Sequence, residues 1–206
     1  DIDTYSCKVS TNSDEAQLWF DRGLVWCFGY NHEEAVECFK KALGHDPSCA
    51  MAYWGVAYAA GPNYNRPWDQ FDRISKNEAL ATAFDATASA MRLRDGATPV
   101  EKALIEALPA RYPQRETIKD QAPWDKDFTN AMREAFQKHP DNPDIRTIFV
   151  EAIMNETPWK MWDLKTGTIA AGAGTAEAEE VLEEALNNDP EAMDHPGILH
   201  LYVHLM

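Results

Sequence analysis

Three of the six histidines in this 206-residue chain, His195, His200 and His204, fall within ten residues of one another. If Pro196 opens a helix, as its fixed φ favours, His200 and His204 are four residues apart and project from one face. That spacing suits two imidazoles on one divalent transition metal of unspecified identity. His195 at the helix start either reaches the same ion or caps the helix. A fourth ligand is expected from Glu151, Asp194, His32 or residues after Met206. The stretch lacks the glutamate of H-E-x-x-H, so a zinc protease is not indicated. The competing reading makes His200 and His204 polar members of a helix whose other faces carry Leu199, Leu201, Tyr202 and Val203.

Two further groups could surround such a centre. In Asn31-His32-Glu33-Glu34, Asn31 and Glu34 read as a helix cap, which leaves His32 unexplained and available for proton transfer. His32 and Glu151 are the expected catalytic residues. The string Gly61-Pro62-Asn63-Tyr64-Asn65 breaks a helix, and its Asn63, Tyr64 and Asn65 are candidates to orient a polar ligand or, alternatively, to satisfy turn backbone. Trp54, Trp159 and Trp162 would wall the ligand, unless they fill the core as aromatics at repeat positions do.

These residues must be positioned by helices. From Ala16 to Pro47 the chain carries Trp19, Gly23, Trp26, Ala35, Phe39, Ala42 and Pro47, the large-small-large order of a tetratricopeptide hairpin. Gly23 and Ala35 allow close approach, the aromatics fill beside them, and Pro47 stops the second helix. A third helix over 49–60 keeps the 34-residue register with Tyr53 and Ala57 before the break at Gly61. The ending Lys41-Ala42-Leu43-Gly44-His45-Asp46-Pro47 recurs at 134–140 and 184–190, and Ala-rich helical spacing runs through 76–95 and 98–112. The reading is all-α: antiparallel helical hairpins stacked as a TPR-like α-solenoid, one domain over 1–206 with irregular inserts at 61–67, 113–123 and 158–174. Thr166-Gly167-Thr168 and Ala171-Gly172-Ala173-Gly174 lack the lysine of a phosphate loop, so the last insert reads as ordinary loop.

Composition bounds the partners. With 34 acids against 19 Lys and Arg, the formal charge of −15 excludes an electrostatic nucleic-acid binder as the default. No apolar run is long enough for a membrane span, so a cytoplasmic protein is expected. Cys7, Cys27, Cys38 and Cys49 form no C-x-x-C pair and read as buried thiols in a reducing compartment. The acidic run Glu177-Ala178-Glu179-Glu180 is the solvated face of a helix. The final stretch lacks a stop signal, and more chain is expected after Met206.

Taken together, Trp19-Phe20-Asp21-Arg22-Gly23-Leu24, Phe28-Gly29-Tyr30-Asn31-His32-Glu33-Glu34-Ala35, Cys49-Ala50-Met51-Ala52-Tyr53-Trp54-Gly55, Pro158-Trp159-Lys160-Met161-Trp162 and Asp194-His195-Pro196-Gly197 carry a resemblance. The chain resembles tetratricopeptide-repeat proteins of bacteria and filamentous fungi, with wording closer to the fungal members. Bacterial members tend to carry Glu where this chain has Val56. The resemblance implies a helical-repeat fold and, from the setting of some fungal members, a place in secondary metabolism. Fold alone supplies no chemistry. Two functional expectations follow: a metal-dependent enzyme acting on a small molecule, or a non-catalytic scaffold that binds a protein or peptide.

Overall fold

The computed structural model describes residues 5–206, and within them the chain is all-α. The helices are α1 (Asp14–Phe28), α2 (His32–His45), α3 (Ala50–Ala60), α4 (Arg73–Leu93), α5 (Pro99–Arg111), α6 (Ala122–Lys138), α7 (Pro143–Glu156), α8 (Thr175–Asn188) and α9 (Pro196–Leu205). None of them is long and apolar enough to cross a membrane. Local chemistry sets their ends. Ser13, Asn31, Asp72, Thr98 and Asn142 accept backbone N–H bonds at N-caps, and Thr98 with Glu101 completes a reciprocal capping box. The three recurrent endings stop α2, α6 and α8 at Asp46, His139 and Asp189, each followed by a proline that cannot continue the ladder.

The insert over 158–174 contains more than loop. Trp162–Asp163 (β1) pairs with Thr168–Ile169 (β2) in a two-residue antiparallel hairpin. Strands this short leave almost no alternation to read in the sequence. α7 also escapes periodicity, because nearly every one of its residues is buried and no apolar stripe stands out.

Successive helices pack as neighbours along the chain, α5 also lies against α3, and α9 lies against α1 and α7 as well as α8. One ring sets the spacing at the N-terminal end. Phe39 of α2 is fully buried between α1 and α3, and a Cβ on either Gly23 or Gly55 would come within 2.5 Å of it. The absence of side chains at those two positions lets three helices share one aromatic. The three-helix packing brings the α1–α2 turn beside the loop that follows α3.

Gly23→Ala is expected to cost about 1–3 kcal/mol through overpacking against Phe39, with Phe39→Leu in the same chain recovering part of the loss. Urea unfolding measures both. An unchanged midpoint for Gly23→Ala would contradict the wedge.

Candidate functional site

α1 ends in a way that needs explanation. Gly29 occupies an ordinary backbone conformation, and the left-handed position after it is taken by Tyr30, with φ of 58°. The Tyr30 and Asn31 N–H groups donate to the Cys27 and Trp26 carbonyls and close the last turn. Glycine would adopt this conformation without strain, whereas a tyrosine costs on the order of 1–2 kcal/mol. The other non-glycine residue with positive φ among those described is Trp159, at 63°. Both strained aromatics face one histidine: the rings of Tyr30 and Trp159 lie 5.3 and 6.4 Å from that of His204. Tyr64 closes the third side, 5.5 Å from His204 and 5.3 Å from Trp159.

The histidine cluster divides. His195 is buried at the start of α9, where its Nδ1 accepts the Ile198 N–H at 3.2 Å and its Nε2 lies 3.4 Å from Asp144 Oδ1. Tyr5 and Phe28 pack on its ring. Both nitrogens are engaged, so His195 takes the capping role and does not join the other two. His200 directs Nδ1 at the Phe28 carbonyl, the end of α1, and its Nε2 lies 3.0 Å from His204 Nε2. His204 is held below the ordinary imidazole pKa by burial and then by His200. Among the described residues, no third His, Cys, Asp or Glu forms a metal-holding group with them.

On the other side of Tyr30 lies a groove of about 500 Å³ lined by His32, Gly61, Asn63 and Asn65 among others. His32 stacks on Tyr30 at 5.9 Å. Burial lowers its pKa to about 4, the Tyr30 carbonyl opposes this, and the Arg111 charge adds to the fall. Asn31 Oδ1 accepts the Glu34 N–H, as a cap should. Asn63 is a turn-former: its Oδ1 accepts the Asn65 and Arg66 N–H groups at 2.9 and 3.0 Å. Asn65 Oδ1 is buried without a partner. Trp54 lies in the core, stacked on Tyr58 at 5.1 Å, and Trp162 Nε1 donates to the Leu205 carbonyl at 2.5 Å, anchoring the end of α9. Of the three tryptophans, Trp159 alone is placed against the histidines.

Glu151 of α7 is buried, and burial pushes its carboxyl up to about 8, opposed by the Tyr64 backbone N–H. Its Oε1 has no partner, nor do Tyr30 OH, His32 Nδ1, Tyr58 OH and Arg111 Nη1. These groups are neighbours: His32 and Tyr58 rings are 6.5 Å apart, the Arg111 guanidinium lies 4.9 Å over Tyr58, and Tyr30 feels the charge of Glu151. Arg111 Nη2 donates to the Pro62 carbonyl at 2.6 Å and steadies the loop. Tyr30, Tyr58 and Arg111 are the residues that sequence reasoning missed. A cation ending an Ala-rich helix gives no sign of burial, and Tyr30 carried only the signature of a turn.

No family model matches the chain, and neither a curated protein nor a solved structure does.

The two buried groups titrate in opposite senses. Glu151 binds its proton more tightly in the folded chain, so its contribution to stability is full below about 4.5 and is lost as pH rises toward about 8. His32 prefers to be neutral when folded, so its contribution is full above 6.5 and is lost as pH falls toward about 4. Urea unfolding across pH 4–9 should show Glu151→Gln flattening the alkaline limb and His32→Gln the acid limb. Asp125, pushed up to about 7 by burial, keeps its own share of the alkaline loss. Parallel profiles for wild type and variants would contradict the assignment.

Proposed function

We propose that this chain is a small-molecule enzyme whose chemistry is proton transfer around Tyr30, carried on helical hairpins stacked in the TPR manner. Support comes from one observation above all: six buried polar atoms without partners lie on residues that line the groove (Tyr30, His32 and Asn65) or that neighbour those residues in the interior (Tyr58, Arg111 and Glu151). They are Tyr30 OH, His32 Nδ1, Tyr58 OH, Asn65 Oδ1, Arg111 Nη1 and Glu151 Oε1. Leaving a buried donor or acceptor unpaired costs about 1–3 kcal/mol each, so a cluster of six is retained against a net stability of only about 5–15 kcal/mol. Groups kept at that cost are suited to a polar ligand.

The protonation states fit the same reading. At neutral pH Glu151, with its carboxyl near 8, is a neutral acid able to donate, and His32, near 4, is a neutral base able to accept. Glu151 is thereby the reverse of its ordinary ionised state, whereas burial makes the neutral form of His32, already the majority form of an imidazole at pH 7, the sole one. A pair set apart in this way suits isomerisation, elimination or hydration, in which one proton is removed and another delivered. Asn65 and the Tyr58 hydroxyl would orient polar groups of the substrate beside Tyr30, on which His32 stacks. Backbone strain at Tyr30 is in keeping with a position held for function, since glycine would relieve it.

A small-metabolite library screened by thermal shift, with mass spectrometry for turnover, tests the reading. Compounds that stabilise the wild type should fail to stabilise His32→Gln and Glu151→Gln, and turnover should fall by about 100-fold or more in each variant. Glu151→Met, which removes an unpaired buried carboxyl, is expected to raise the melting temperature by about 2–4 °C while abolishing turnover. A lower melting temperature for Glu151→Met, with ligand binding intact, would assign Glu151 to structure instead.

A further inference from the structure

We infer that His200 and His204 form a two-imidazole site for a late first-row divalent metal, with Cu2+ and Ni2+ the best-fitting ions and water on the remaining positions. The first support is the anchoring of His200. Its Nδ1 is directed at the Phe28 carbonyl, so in the neutral ring Nδ1 carries the proton and donates it there. Nε2 is then a bare lone pair, the second-sphere arrangement that orients metal-binding imidazoles.

Distance supplies the second support. The two Nε2 atoms are 3.0 Å apart. With metal–nitrogen bonds of about 2.0–2.1 Å, that separation subtends about 94° at a shared ion. Such an angle is close to the cis angle of a square-planar or octahedral ion and well short of the tetrahedral value. Tetragonal geometry with nitrogen donors favours Cu2+ or Ni2+, and the order of affinities for nitrogen sites places Cu2+ first. No carboxylate joins the pair, which disfavours Mg2+ and Ca2+.

Access and surroundings agree. Both imidazoles are half-buried, so an ion has a path to them, while Tyr30, Tyr64 and Trp159 surround His204 on its other sides. The competing account is a plain hydrogen bond, His204 Nε2–H donating to His200 Nε2. That bond and the shared ion use the same lone pair, so a metal titration separates them. The inference stands independently of the proton-transfer reading, because His32 and Glu151 contribute nothing to it.

The test uses the full chain stripped with a chelator and titrated with Cu2+ or Ni2+ alone. Calorimetry is expected to give one site per chain with a Kd on the order of micromolar, as suits two protein ligands instead of four. Cu2+ should bind more tightly than Ni2+, and its electron paramagnetic resonance should report two equatorial nitrogens. Trp159 fluorescence should be quenched, with Trp159→Phe removing that part of the signal but not the binding. His204→Gln should weaken affinity at least about 10-fold, and His200→Gln with His204→Gln should abolish the site. His32→Gln and Glu151→Gln should bind like the wild type even if they lose all catalytic function. If His200→Gln disturbs folding through the lost Phe28 bond, His204→Gln with a wild-type circular dichroism spectrum decides alone. Equal affinity in wild type and folded His204→Gln, or no saturable binding in the wild type, overturns the inference.

Discussion

A tyrosine in a left-handed backbone conformation holds the site together. Tyr30 ends α1 at a position where glycine would sit without strain, and its ring then meets groups from three directions. His32 stacks on it from the α2 side, His200 and His204 approach from α9, and Glu151 of α7 lies within electrostatic reach. The strain and the contacts have the same origin. Placing a large aromatic at a helix stop directs its ring inward between helices, where the small residue usual at that position would leave space. Trp159, more than half exposed in the loop after α7, also has positive φ, and its ring also lies against His204.

What the strain needs in return is a rigid frame. Phe39, shared by α1, α2 and α3, fixes the helices that flank the α1–α2 turn and the loop after α3. Arg111 then ties that loop by donating to the Pro62 carbonyl, and Trp162 donates to the Leu205 carbonyl at the end of α9. The frame supplies rigidity at three corners, and the polar atoms inside it are left without partners. Anchored and unpaired polar atoms side by side, both on one residue in Arg111, distinguish the interior from an ordinary packed core.

Much of the frame was legible in the sequence, because its signals are local. Prolines after recurring endings and N-cap residues act within a turn or two, the Gly23-to-Phe39 spacing acts within one helical hairpin, and the helices begin and end near where those signals fall. The site was legible only in part. His32, Glu151, Asn65, His200 and His204 were read from residue type, and the structure sets them around one tyrosine. His195 and Asn63 took the cap and turn roles that had been weighed as alternatives, since a neighbouring N–H competes for each side chain. Trp54 went to the core. Tyr30, Tyr58 and Arg111 were invisible because burial and backbone hand arise from long-range packing, which residue spacing does not encode.

The central claim is that at physiological pH Glu151 is a neutral carboxylic acid and His32 a neutral imidazole, His32 stacked on Tyr30 and Glu151 within electrostatic reach of it. Carbon-13 NMR of the Glu151 side-chain carboxyl, titrated in the folded protein and assigned through Glu151→Gln, measures it directly. The account predicts a carboxyl still protonated at pH 7, with its midpoint near 8. A midpoint at the ordinary value of about 4.5, leaving Glu151 ionised at neutral pH, would contradict it.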